Sequence, residues 1–279
     1  MSAARLIAVP YDSGIRGWRM GAGPDRLLAA GLEDALRARG HTVSAEHVEL
    51  PADIPSTEIA STFTLAARLA DRVRAARAEG ALPVVLAGNC ASAIGTLSGL
   101  DGAAPAIIWL DAHADLNTPE TTRSGMLDGM ALAIATGRCW GPMAATVPGF
   151  RPIPDENVCL IGARDLDPAE SEYLVRSDTP VLSVVDYPEW LAPALESLRT
   201  RADTVYLHID LDVLDPSEGR ANSFATDGGL MLRDVLKVIE RIRERFQIGA
   251  VALTAYDPTC DPDGRISSAA GEIIRKIAG

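Results

Sequence analysis

Five side chains in this sequence have the types and spacing of a metal centre. Asp111, His113 and Asp115 alternate in Trp109-Leu110-Asp111-Ala112-His113-Ala114-Asp115, and Asp210 and Asp212 alternate in His208-Ile209-Asp210-Leu211-Asp212. Each set follows an apolar run that would otherwise continue into a core. At the two-residue period of a strand, the members of each set point to one side. Four carboxylates converging in a small space repel one another unless cations lie between them. Carboxylates with one imidazole suit hard or intermediate divalent ions, Mn²⁺ included. A lone Zn²⁺ more often takes more His or Cys. A single Asp in such a place reads as a solvated loop residue or a helix N-cap. A DxHxD and a DxD at two strand ends read as ligands.

Alternating short and long elements must position these sets. Leu6–Val9, Pro83–Ala87, Ala106–Leu110, Val158–Ile161, Pro180–Val184, Val205–Ile209 and Gly249–Leu253 are short apolar runs, as expected for parallel strands covered on both faces. Helical spacing marks Asp25–Arg39, Ile59–Glu79, Pro168–Val175, Leu191–Arg201 and Leu232–Phe246. The alternation predicts one α/β domain over residues 1–279 with a mostly parallel sheet. In such sheets ligands bind outside the carboxyl ends of the strands, where both acidic sets fall.

Of the 279 residues, 47% are apolar, enough for a sizeable core. The net charge of -12 argues against a nucleic-acid partner, which calls for a basic patch. It fits a small-molecule substrate and a soluble chain. No stretch approaches the ~20 apolar residues of a membrane span, and Leu6-Ile7-Ala8-Val9-Pro10 is too short for an export signal. Cys90, Cys139, Cys159 and Cys260 are scattered, which suits a reducing cytoplasm better than a disulfide framework.

The motifs carry a family resemblance. Asp111-Ala112-His113-Ala114-Asp115-Leu116-Asn117-Thr118-Pro119 resembles the DAHxDxNTP signature of the arginase/agmatinase/formiminoglutamase (ureohydrolase) family, and His208 to Pro216 resembles its SxDxDxxDP signature. Gly23-Pro24, Gly88…Ala93-Ile94-Gly95 and Gly162-Ala163-Arg164-Asp165-Leu166-Asp167-Pro168 follow the family order. The resemblance implies a three-layer α/β/α domain around an eight-stranded, mainly parallel sheet, and trimers or hexamers. It also implies two Mn²⁺ ions sharing a hydroxide that attacks a guanidinium carbon. Asp111 and Asp210 would bridge the ions, Asp115 would bind one, and His113 and Asp212 the other. Asn117, Thr122 and Ser124 match positions that contact a substrate carboxylate, and Asp167 and Glu170 match those near its α-amino group.

Three positions depart from the pattern. The family's GGDHS segment reads Gly88-Asn89-Cys90-Ala91, so Cys90 stands where a histidine ligand is expected. It is either a softer ligand, poorly matched to Mn²⁺, or an inert buried thiol beside a weakened site holding a single ion. His208 shares the face of Asp210 and Asp212, either as hydrogen-bonded support for a ligand or as a core histidine. Asp128 stands where arginases carry a proton-shuttling histidine. With Asp115 it is a candidate catalytic residue, able to accept a proton or pair with a cation. It would be ionised at neutral pH, and a poor acid, unless burial raises its pKa. Ala255 replaces a glutamate that holds the guanidinium, and a buried guanidinium without a carboxylate is costly. Asp128 and Asp257 are the candidate substitutes.

The amino-acid pole is kept and the reacting pole altered. This is similar to the branch of the family that hydrolyses Nω-hydroxy-L-arginine in D-cycloserine biosynthesis, which also carries cysteine for the motif histidine. The expected reaction is hydrolysis of Nω-hydroxy-L-arginine or L-arginine to ornithine plus hydroxyurea or urea. The alternatives are another amidine such as agmatine or formiminoglutamate, or a catalytically degenerate binding protein.

Overall fold

The computed structural model describes residues 3–55, 57–102 and 104–279. The seven apolar runs and one polar segment, Thr42–His47, pair into strands β1 (Ala3–Val9), β2 (Thr42–His47), β3 (Ala81–Ala87), β4 (Ala106–Leu110), β5 (Val158–Ile161), β6 (Val181–Leu182), β7 (Thr204–Asp210) and β8 (Gln247–Thr254). They form one sheet in the order β2-β1-β3-β8-β7-β4-β5-β6, with every neighbouring pair parallel. Helices α1 (Gly23–Ala29), α2 (Leu32–Arg37), α3 (Glu58–Ala78), α4 (Ser92–Ser98), α5 (Ala131–Ala135), α6 (Pro168–Arg176), α7 (Tyr187–Arg199), α8 (Leu232–Arg243) and α9 (Arg265–Ala278) cover its two faces.

Alternation along the strands feeds two separate cores. Leu86, Ile108, Leu110, Leu207 and Ile209 enter one with α1, α2, α7, α8 and α9. Val85, Ala87, Ile107, Trp109 and Tyr206 enter the other with α3, α4 and α5. The result is an α/β/α sandwich. On α8, Val235, Val238, Ile239 and Ile242 recur at helical spacing and are fully buried, each contributing about 1.5–3 kcal/mol.

The chain path sets the position of the site. After β3 the chain skips two places to β4 and runs outward to β6, and β7 and β8 later fill the gap. The carboxyl ends of β3, β8, β7 and β4 therefore lie side by side, carrying Asn89-Cys90, Thr254-Ala255, Asp210–Asp212 and Asp111–Asp115.

Three elements differ from the sequence expectation. The helix expected over Asp25–Arg39 is split into α1 and α2, because Gly31 adopts φ +83°, a left-handed conformation that ends one helix and starts the next. Edge strand β2 is largely exposed and pairs with β1 alone, so its polar sequence hides it. Helix α9 buries Ile266, Ile273, Ile274 and Ile277 at a spacing that is visible in the sequence. Among the described residues no helix is long and apolar enough to cross a membrane, and all four cysteines are free.

Candidate metal and active site

Strand β4 stops at Leu110, so the acids beyond it do not converge by strand alternation. They converge through a tight loop. The Asp111 carboxylate is held from both sides, Oδ2 accepting from Trp109 Nε1 at 2.9 Å and Oδ1 from the His113 backbone N–H at 2.7 Å. Asp115 adopts φ +52°, which is uncommon for a residue with a Cβ, and its carboxyl feels the charges of Asp111, Asp128, Glu170 and Asp212. On β7, Asp210 Oδ1 accepts the Asp212 N–H at 2.8 Å, opening a short 3₁₀ turn over Leu211–Val213 that carries Asp212. Asp212 Oδ1 then accepts the Ala112 N–H at 3.3 Å, which ties the two strand ends together. His113 Nδ1 lies 3.3 Å from Asp111 Oδ1 and 3.5 Å from Asp212 Oδ2.

The four carboxylates are 1–6% exposed. Burial first, and then mutual repulsion, push the carboxyls of Asp111, Asp115 and Asp210 upward. Burial disfavours charge on His113, yet Asp111 and Asp212 outweigh it and raise the imidazole to about 10. Asp115 Oδ2 is buried without a hydrogen-bond partner among the described residues. An oxygen left bare in so acidic a cluster needs a positive partner. Donor atoms of Asp111, His113 and Asp212 lie within 4.8 Å of one another. This set fits a divalent cation of the hard or intermediate kind.

Cys90 lies in the same cluster. Two residues before it, Gly88 packs against Tyr11 so closely that a Cβ there would stand 2.3 Å from the Tyr11 carbonyl oxygen. The buried Cys90 thiol donates to Asp210 Oδ2 at 3.1 Å and lies 3.3 Å from Thr254 Oγ1. Burial, and then Asp210, push this thiol well above its ordinary value. His208 does not bond a carboxylate of the cluster. Its Nδ1 pairs with the Tyr206 hydroxyl at 2.8 Å, and its Nε2 faces Thr254 Oγ1 at 3.3 Å.

Asp128 is anchored beside Cys90. Its Oδ1 accepts the Cys90 N–H at 2.6 Å and its Oδ2 accepts Asn89 Nδ2 at 2.9 Å. Burial and the neighbouring Asp12 raise its carboxyl to about 7, so it holds a proton part of the time at neutral pH, as an ordinary Asp does not.

These groups open onto a cavity of about 270 Å³. Cys90, His113, Asp115, Asp128, Asp210 and Asp212 are among its lining residues. Asp165, Asp167, Glu170, Asn117 and Ser124 add polar side chains to the lining, and Met20, Met126, Phe224 and Ala255 add apolar ones. Thr122 is the exception among the expected substrate contacts. It is absent from the cavity lining, and its Oγ1 accepts the Gly125 N–H at 3.0 Å, which stabilises a turn.

Glu170 lines the cavity but also builds it. It accepts the Asp167 N–H and the Leu116 N–H, each at 2.9 Å, closing a capping box at the start of α6 and fixing the residue after Asp115. Asn117 Nδ2 donates to Asp167 Oδ2 at 2.9 Å. Of the two candidate substitutes for the missing glutamate, Asp128 borders the cavity, whereas Asp257 Oδ1 is taken by the Thr259 N–H at 2.9 Å and its hydroxyl at 2.7 Å.

Sequence reasoning missed two supports. Asn222 is buried, and its Nδ2 donates to Ala255 O at 2.8 Å and Asp212 Oδ2 at 3.2 Å. It thus pins the φ +61° turn at Ala255. Buried Asp12 accepts two bonds from Arg19, at 2.8 and 3.1 Å, and one from Asn89 at 3.3 Å. Neither residue has metal-like or helical spacing, so neither leaves a signal in the sequence.

Comparison with known proteins adds identity to this geometry. The arginase-family profile matches residues 2–279. Arginase from Brucella melitensis is 28% identical over 99% of this chain and 95% of its own length. The crystal structure of Bacillus subtilis arginase superposes with a TM-score of 0.90 at 29% identity, covering 100% of this chain and 99% of that one. Formimidoylglutamase from Bacillus subtilis, at 16% identity and a TM-score of 0.77, covering 100% of this chain and 86% of that one, shares the fold. The chain belongs to the arginase family and is an enzyme of the ureohydrolase type.

Proposed function

We propose that this enzyme hydrolyses the guanidino C–N bond of an α-amino acid whose tail binds uncharged, with Nω-hydroxy-L-arginine as the substrate and ornithine and hydroxyurea as products. One observation carries the reading. The cavity lining keeps the acids Asp165, Asp167 and Glu170 for an ammonium group, while Ala255, linked through Asn222 to Asp212, offers no carboxylate to a guanidinium. A hydroxylated guanidine is much less basic than arginine and enters neutral, so it avoids the cost of a buried cation without a partner.

Asp111, His113, Asp115, Asp210 and Asp212 would hold two manganese ions, which supply Lewis acidity and bring the pKa of water toward neutrality. The protein's own groups do the rest. Asn117 and Ser124 receive the carboxylate head, Asp167 receives the amino group, and Asp128 delivers a proton to the departing amine. The place of Asp128 on the cavity lining, beside Cys90 and Asn89, suits it to that task. The four free cysteines suit work in the reducing cytoplasm.

The test is release of the amine product by manganese-loaded protein, ornithine from Nω-hydroxy-L-arginine or L-arginine, putrescine from agmatine and glutamate from formiminoglutamate, with Asp111→Asn as the blank. Turnover of the hydroxylated substrate supports the proposal. Turnover of agmatine or formiminoglutamate alone, or of nothing by protein shown to hold metal, rejects it.

A further inference from the structure

A second donor set lies on the inner side of the metal cluster. His208 is fully buried on β7, its ring stacked on Trp109 with centroids 3.5 Å apart and planes 7° from parallel. The Tyr206 hydroxyl takes Nδ1 at 2.8 Å, which leaves Nε2 facing Thr254 Oγ1 at 3.3 Å. That same hydroxyl is 3.3 Å from Cys90 Sγ. A ring fixed by a hydrogen bond at one nitrogen, with the other turned toward the donor set, is how metal-binding histidines are oriented. Donor atoms of Cys90, His208 and Asp111 fall within 4.8 Å of one another, and Asp210 Oδ2 lies 3.1 Å from the sulfur.

We propose that Cys90, His208 and Asp111 form a sulfur–nitrogen–oxygen half-site that takes a zinc-class ion in preference to manganese. The outer half, Asp111, His113 and Asp212, keeps the harder donors. The inference rests on the metal-centre reading above and goes beyond it, because it makes the two halves unlike. Thiolate and imidazole favour borderline and soft ions over Mn²⁺. Cys90 binds as thiolate, and the proton now directed at Asp210 leaves to solvent. His208 thus supplies from β7 the imidazole that the segment after β3 lacks.

The experiment loads metal-free protein with Co²⁺, a zinc-like ion with a visible spectrum, and measures zinc against manganese retention by elemental analysis. A near-ultraviolet thiolate-to-cobalt band is expected, lost in Cys90→Ser and kept in His113→Gln. Preference for zinc over manganese should fall about tenfold or more in Cys90→Ser and in His208→Gln. Bound cobalt without a thiolate band in the wild-type protein overturns the inference, and that result needs no variant to fold. Unchanged preference in both variants also overturns it. Ornithine release from the manganese-loaded protein with no thiolate band would reject this half-site alone, whereas failure to bind any ion would reject the metal centre itself.

Discussion

Replacing Ala255 by Glu should reverse the enzyme's choice between a neutral and a charged guanidine. Ala255 is buried at the end of β8, on a turn with φ +61° that already accommodates an L-residue. The new side chain therefore adds little backbone strain. It would project from the cavity lining that Ala255 shares with Asp128, whose oxygens accept from Asn89 and Cys90. A guanidinium placed there would gain a charge-assisted hydrogen bond of about 1.5–3 kcal/mol, or about 10- to 100-fold at 1.4 kcal/mol per decade. The neutral substrate gains no ion pair and faces an unpaired buried carboxylate, so its rate should fall. The assay is the ratio of kcat/KM for L-arginine to that for Nω-hydroxy-L-arginine. A rise of about tenfold or more is expected. A ratio that stays put or falls in the folded variant would refute the claim that Ala255 selects an uncharged tail.

Asn222→Ala removes the donor shared by Asp212 and Ala255. It should destabilise the fold by about 1–3 kcal/mol and weaken metal retention about 10- to 100-fold, measured by thermal melts and elemental analysis. Asp215 tests a different part of the frame. It accepts the N–H groups of Ser217 at 2.9 Å, Gly228 at 2.8 Å and Gly229 at 3.0 Å, and hydrogen bonds from Ser217 first, then the glycines, lower its carboxyl to about 2. A folded pKa below the unfolded ~3.9 stabilises the protein above about pH 4, and that stabilisation disappears as pH falls through about 2. Asp215→Asn should therefore cost on the order of 1–2 kcal/mol at pH 7, and the gap in Tm should narrow on acidification.

The sequence made the frame legible wherever a strand was buried on both faces, because runs such as Ala106–Leu110 have no polar interruption. It failed at β2, whose edge position leaves most residues wet, and at Gly31, where one left-handed residue splits a continuous apolar face. The acidic cluster was legible as composition but not as geometry. Its convergence depends on the tight loop after Leu110 and the 3₁₀ turn after Asp210, which residue spacing does not encode. Asn222 was invisible because a buried amide serving two acceptors looks like any loop asparagine until the loop is folded. The raised carboxyl of Asp128 likewise depends on Asp12, which lies far away in the chain.

The central claim is best tested by offering equal concentrations of Nω-hydroxy-L-arginine and L-arginine to the manganese-loaded enzyme in one vessel and measuring hydroxyurea against urea. Hydroxyurea in large excess, with neither product from Asp111→Asn, is the predicted result. Urea in excess would contradict the claim that Ala255 selects an uncharged tail.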